Sequence, residues 1–581
     1  MKKMNHCIAF VFCFLSIIKI NAQEVDLENL GGSIKENLKK NPFKISGGVS
    51  ANAIFYSSNI NKSREPFTYF LNGNLNLGLY NWSMPISYSL TNQGSNLGYQ
   101  VPFKFNRISI SPKYKWVKAH IGDSNMNFSS YTYNGLLFTG LGLELTPDIP
   151  FKIALLGGRL NKAVEDDGQQ QTIASYKRMG YGAHLKWEKE RYKLGLIGFY
   201  AKDDINSLKQ PIDDRGITPE ENLVLSMLGS FKLLKNVEVF AEFSNSGLIN
   251  DIRAEKGKSS KGIANKFLKN NSSSESFNAY NAGVNFNLKS TSLGIKYERI
   301  DPGYRTLGAY YFNNDLENIT INTAFNLFKG NVNVSANIGR QRDNLNSAKL
   351  KQTNRWVGSI NTNVKATDKL MFTATYSNFT MYTNNQLNQF NNLNNNPLAL
   401  QQPRDSINYK QISQNFNLNA NYNLSSRKEL TQNINFNYSL NDMVNKENNI
   451  VRRGGLNRFH NANLTYSIGL PERSISLATS INYTNMFAAS KTTNIWGPSA
   501  TINKMFMDKK LQTSFGVSYN ASTSNAISTK VSNFRLNAGY SPWEKHNFSA
   551  TIIQLFRNTN QDIPDKKLNE LTATLGYNYS F

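Results

Sequence analysis

Cysteine is almost absent. The two in the chain, Cys7 and Cys13, both lie in the first 13 residues. Those residues open a segment with the marks of an export leader: Lys2 and Lys3, an apolar run from about Ile8 to Ile18, and a small-residue exit at Asn21-Ala22. Cleavage after Ala22 is expected. The mature chain then has no thiol, which excludes disulfides, cysteine nucleophiles and Cys-based zinc or iron sites. Neither cysteine follows the small residues that precede a lipid-anchored one. Long apolar runs are missing too. No stretch offers about 18 uncharged apolar residues, so no transmembrane helix is expected. Histidine is scarce, with five in 581 residues. No HExxH or GxSxG occurs, which leaves little for metal-dependent or serine catalysis. No cofactor, no metal and no enzyme activity are expected. The acidic clusters Glu165-Asp166-Asp167, Asp203-Asp204 and Asp213-Asp214 lack EF-hand spacing. His120 and His184, as lone lumen histidines, read as structural.

What is abundant is alternation. In LTATLGYNYSF, residues Leu571, Ala573, Leu575, Tyr577, Tyr579 and Phe581 fall on one side and Thr572, Thr574, Gly576, Asn578 and Ser580 on the other. A period of two marks a strand with one apolar and one polar face. The pattern recurs. Phe416 to Leu424 alternates with asparagines, and so does Ile434 to Leu440. Runs of about 10 residues, tight turns and longer polar loops follow one another in the rhythm of an outer-membrane meander. Short turns are expected at about 12 places, from Tyr80–Trp82 to Trp543–His546, with a long loop between each neighbouring pair. The fold class is all-β, a transmembrane antiparallel up-and-down barrel of about 26 strands (24–26). Its least secure pair is Arg107–Ser111 and Val117–Asp123. A soluble sandwich fails on scale, since soluble sheets rarely pass about 10 strands. The organisation is then a signal peptide at 1–22, a short periplasmic segment at 23–42, and the barrel at 43–581. Within the short segment, Leu27, Leu30, Ile34 and Leu38 space as a short amphipathic helix. Trp82, Trp116, Trp187 and Trp543 near short turns, with Trp356 and Trp496 at the far ends, read as two aromatic girdles.

The signal ending INAQ, the Asn-rich strands and the terminus LGYNYSF resemble outer-membrane β-barrels of the Bacteroidota. The resemblance implies a Gram-negative outer-membrane location. It also implies that the C-terminal strand, with Tyr577, Tyr579 and Phe581, is the signal read by barrel-assembly machinery. TonB-dependent transporters are similar in size but carry a plug that residues 23–42 are too few to form. Two stretches, IGDSNMNFSSYTYNG and DPGYRTLGAYYFNND, look like segments of uncharacterised barrels of that group.

A formal charge of +25 in an exported chain points to anionic lipid or an anionic substrate rather than nucleic acid. By alternation Arg107, Lys118, Lys186, Lys193, Lys296 and Arg535 should face the lumen. There they either favour anions or pair with acids such as Glu188 and Glu298. The basic loop Arg253–Lys269 could touch lipopolysaccharide, or be simply solvated. Twenty-six strands close to a backbone diameter of roughly 50 Å. A hole that wide must be filled by loops, by the N-terminal segment or by another protein. Tyr304, Leu307, Tyr310, Tyr311 and Phe312 make the loop at 301–315 the leading candidate for folding inward or docking a partner. The functional expectation is a wide channel or export pore gated by loops or a partner protein. The alternative is a scaffold that anchors a partner in an outer-membrane assembly, with the lumen blocked.

Overall fold

The computed structural model describes residues 43–60, 64–79, 82–92, 106–168, 172–257, 261–310, 312–348, 354–382, 409–447, 450–488, 490–524, 527–561 and 566–581. The expected leader and amphipathic helix lie outside this set, as do Tyr311 and most of the loop after Tyr382.

Each strand pairs antiparallel with its sequence neighbours, and the first, Lys44–Ser58, pairs with the last, Lys567–Ser580. The sheet is therefore closed. Two short segments, Arg107–Ile110 and Lys113–Tyr114, share the same neighbours, Trp82–Thr91 and Val117–Asn127. They are one strand interrupted at Ser111-Pro112, where proline has no N–H to give the ladder. Counted so, the described residues form a 26-stranded barrel.

Alternation decides which face is which. Leu194 and Leu196 are 55% exposed, while Ile197, Phe199 and Ala201 on the other parity are buried. Met227, Phe231, Phe243, Ile295, Ile319, Ile321 and Ile481 are exposed on the same outer side. In a closed sheet the exposed apolar face is the outside, the surface expected of a barrel in lipid. All six tryptophans are exposed.

Closure is tight. Gly47 N–H donates to the Phe581 carbonyl (3.1 Å), and Phe581 N–H donates to the Gly47 carbonyl (3.0 Å). Gly47 has φ +148°, and a Cβ there would stand 2.1 Å from the Asn74 carbonyl oxygen. Only glycine fits. Gly47→Val should therefore destabilise the seam by about 2–3 kcal/mol. It would be seen as a lower temperature for loss of the compact band on unheated gels, and an unchanged temperature would refute the seam argument.

The short turns fall where expected among the described residues, and that at Tyr80–Trp82 lies mostly outside them. One expectation is corrected at the opposite end. Connections there are not all long: Glu447 is followed by the strand from Ile450, Ala488 by that from Lys491, and Ser524 by that from Ile527. The neighbouring strands are long instead. Tyr409–Ser426, Thr431–Glu447 and Ile450–Leu470 have 18, 17 and 21 residues. The ladder simply continues where a loop would begin, because alternating Asn and apolar residues keep both faces of the strand satisfied.

Candidate functional site: the capped side of the lumen

The two stretches singled out in the sequence meet each other inside the barrel. The connection at 128–133, between Val117–Asn127 and Asn134–Leu145, runs beside the loop at 301–315. Tyr133 and Gly308 form a parallel bridge. Tyr304 Oη donates to the Tyr131 carbonyl (2.8 Å), Thr306 Oγ1 to the Thr132 carbonyl (2.6 Å) and Asn134 N–H to the Gly308 carbonyl (3.0 Å). Gly308 is required by proximity, since a Cβ there would lie 2.5 Å from the Thr132 carbonyl oxygen.

Together these loops cover the inner wall. Leu307 N–H donates to Asn222 Oδ1 (3.1 Å), and the Ser246 hydroxyl donates to the Arg305 carbonyl (2.7 Å). Tyr131 Oη donates to Glu298 Oε1 (2.5 Å) and accepts from Asn281 Nδ2 (3.0 Å). The Ser129 hydroxyl reaches Glu242. The hairpin tip thus crosses to strands Val237–Ile249, Ser274–Asn287 and Thr291–Ile300. Between the polar anchors lies an apolar core of Met126, Phe128, Tyr133, Leu136, Phe138, Leu156, Leu160, Ile197, Phe199 and Leu307. A second cluster joins Tyr131, Ala279, Ile300, Tyr304 and Leu316, with Phe312 packed against it. Full burial of each large side chain contributes about 1.5–3 kcal/mol, which holds the cap without a disulfide. Burial pushes the Tyr131 phenol well above its ordinary pKa, and Glu298 pushes it further. It therefore remains a donor throughout the working pH range.

An ion network fastens the cap from above. Arg178 donates to Asp203 through Nε (2.7 Å) and Nη2 (2.8 Å), and to Glu220 through Nη2 (2.9 Å). Arg305, from the cap loop, also binds Glu220. Burial raises the Glu220 pKa, but Arg305 and Arg178 more than offset this and hold it below the ordinary carboxylate value. The acidic clusters read in the sequence are engaged by arginines: Asp166 by Arg215, Asp203 by Arg178 and Asp213 by Arg253.

The basic candidates occupy the polar face. Lys118 binds Glu144 (3.0 Å), which also meets His120 Nε2 (2.5 Å), and Lys296 binds Glu298 (2.9 Å). Lys193 is the cross-strand partner of Glu188, which Lys152 binds, and Lys186 is that of Lys152. Arg535 donates to Asn537 Oδ1 (3.1 Å). Arg107, Lys118, His120 and Glu144 line a recess of about 720 Å³. Of the aromatic candidates, Tyr304 and Leu307 are buried in the cap, and the Tyr310 hydroxyl accepts from Leu137 N–H (3.1 Å). Phe312 meets Tyr131 edge-on and packs at a tilt against Tyr304. At the last strand, the Tyr577 ring packs on Phe548 and the Tyr579 ring on Phe581. His184 is buried against Phe128, and neither of its ring nitrogens has a partner. His460 meets Tyr438 and His546 meets Tyr577, so no histidine is paired with a serine among the described residues.

The sequence reading missed the other wall as a unit. From Leu316–Leu327 to Leu511–Ser524, no charged side chain faces inward in mid-strand among the described residues. Asparagines bond across strands instead: Asn421 with Asn433, Asn419 with Asn435, Asn441 with Asn415, and Asn461 with Asn482. Ser480 meets Ser499 (2.7 Å). The signal was visible as the run of Asn at alternate positions.

No protein-family model matches the chain, and no curated protein matches it. Among solved structures, it is similar to the translocation pore of the P pilus usher PapC. Identity is 12% over 92% of this chain and 99% of that one, with a TM-score of 0.37. It is also similar to the FrpB iron transporter of Neisseria meningitidis, at 10% identity over 94% of this chain and 84% of that one, TM-score 0.37. A variant of the ferric enterobactin receptor PfeA of Pseudomonas aeruginosa matches at 10% identity over 93% and 80%, TM-score 0.38. At these identities and TM-scores the likeness adds nothing to what the strand pairing already shows, a large closed antiparallel β-barrel.

Proposed function

We propose that the chain is an outer-membrane channel with a two-sided lumen. The cap fills the side formed by the strands from Val117–Asn127 to Thr291–Ile300. Passage runs along the uncharged arc opposite. The observation that carries this reading is the asymmetry itself. One wall is packed with aromatic side chains and paired ions, while the facing wall presents Asn, Ser and Thr with a supply of donors and acceptors. Such a wall replaces the hydration of a neutral polar solute without selecting a charge. No catalytic group is needed, and the wall carboxylates Glu220, Glu242 and Glu298 serve to hold the cap. Residues 577–581 act as the assembly signal, exposed on the last strand until the seam closes.

The test is single-channel recording from the isolated chain in planar bilayers, with liposome swelling in neutral sugars. Stable conductance and sugar entry are expected. In a tenfold salt gradient the reversal potential should lie within about 10 mV of zero, because the arc that carries the passage presents no inward charge in mid-strand among the described residues. A strong anion preference would mean that Arg107, Lys186, Lys193 and Arg535 govern the passage. Complete absence of conductance, with a stoichiometric protein partner on purification from the native membrane, would favour the scaffold reading instead.

A further inference from the structure

The segment Lys261 to Lys269 lies on the other side of the wall from the cap. In the strand Val237–Ile249, Val239 and Phe243 are exposed on the outer face. Asn245 and Gly247 share that parity, and the register with Ser274–Asn287 runs without a shift. Ala264 N–H donates to Asn245 Oδ1 (2.9 Å). At Gly247 a Cβ would stand 2.2 Å from Asn265 Oδ1 and 3.1 Å from Ala264 Cβ. Ser246, between them, points the opposite way and holds the Arg305 carbonyl of the cap. The short turn Ala264–Phe267 is therefore pressed onto the outside of the barrel.

Its own faces are sorted. Ala264 and Asn265 are fully buried against the wall, whereas Ile263 is 52% and Phe267 65% exposed. Lys261, Lys266 and Lys269 are exposed around them. The strand starts at Val237 beside a short turn, so Asn245 stands about 20 Å up the barrel axis at a tilt near 40°. The apolar belt of such barrels is about 25 Å tall. The segment is thus at the outer interface, with two apolar side chains and three cations facing away from the protein. In water this places Ile and Phe against solvent for no gain. At the interface the apolar pair enters the acyl boundary while the ammonium groups meet phosphates.

We propose that residues 261–269 form a docking site for an anionic, phosphate-bearing lipid of the outer leaflet. The proposal rests on the transmembrane reading of the barrel and not on the channel reading. The long-loop end, where the segment sits, is the end that faces outward in barrels of this kind, and its charge complements that leaflet.

The test is native mass spectrometry of the full chain in detergent, titrated with lipopolysaccharide and, separately, with phosphatidylcholine. Wild type should retain lipopolysaccharide in preference to phosphatidylcholine. The combined substitution Lys261→Gln, Lys266→Gln and Lys269→Gln should weaken that retention about tenfold or more. Phe267→Ser should weaken it several-fold with all lysines in place. Equal retention by wild type and the triple variant would overturn the proposal. So would full competition by millimolar inorganic phosphate, which would make the site one for a free anion. A dimer lost in the triple variant would assign the patch to a second copy and overturn it likewise. Conductance should be the same in wild type and the triple variant, so loss of lipid binding and failure of the channel reading are separable.

Discussion

Excising residues 302–314 and joining Asp301 to Asp315 through Asn-Gly should raise single-channel conductance roughly twofold, because the cap masks about a third of the wall of a wide lumen. The excision is geometrically mild. Ile300 and Leu316 are already cross-strand partners, and Asp315 N–H donates to the Asp301 carbonyl (3.4 Å). A two-residue turn suits such a register. The variant loses Tyr304, Thr306 and Leu307, and with them two of the bonds that hold the 128–133 connection and the bond that ties the loop to Asn222 on the wall. The strands themselves keep their ladders, so the barrel should remain heat-modifiable on gels. Tyr133 and Phe199, fully buried in the native chain, then become reachable by solvent, and protease should cut near Ser129–Tyr133. Unchanged conductance in a folded variant would show that the cap does not bound the passage.

The second large effect is expected at Arg178. Its guanidinium lies between Asp203 and Glu220, and the Asp203 side chain is 2% exposed. Arg178→Ala strips both carboxylates of a partner in a buried setting, a loss of about 3–5 kcal/mol. Urea unfolding in detergent should show the fall in midpoint. The same network gives a pH dependence. The Glu220 carboxyl is held below its unfolded pKa, so its stabilisation is complete above the ordinary carboxylate range and is lost as pH falls through the depressed value. The cap should stay closed at neutral and mildly acidic pH and loosen below about pH 4. Conductance recorded from pH 7 to pH 3 reads this directly. Opening between pH 7 and pH 5 would mean that another group controls the cap. In Arg178→Ala, the acid-induced opening should move to higher pH, because Glu220 then keeps only Arg305.

Much of the barrel was legible beforehand because strand alternation is a local property. The outward Leu571, Ala573, Leu575 and inward Thr572, Thr574, Gly576 could be assigned from ten residues alone. The short turns could be placed because each is a local break in the pattern. The cap could be suspected from the surplus of aromatics in 301–315. Its contact with 128–133 could not be read, since the two stretches are more than 160 residues apart and no local rule pairs them. The long loops expected over the later strands failed for a related reason. Polar residues alternating with apolar ones look like a loop when counted by composition and like a strand when counted by parity.

The sequence by itself determined the architecture, the closed all-β wall with one apolar and one polar face, because a period of two leaves no other way to bury one side and hydrate the other. It also confined both cysteines to the first 13 residues. Only the tertiary structure decided how the lumen is used. Whether a lumen lysine is a selectivity element or half of an ion pair depends on which strand lies beside it. Whether Tyr304 and Leu307 meet a partner or the barrel's own wall depends on where a loop lands after crossing the lumen. Both are distances between residues far apart in the chain, and closure of the sheet is what sets them.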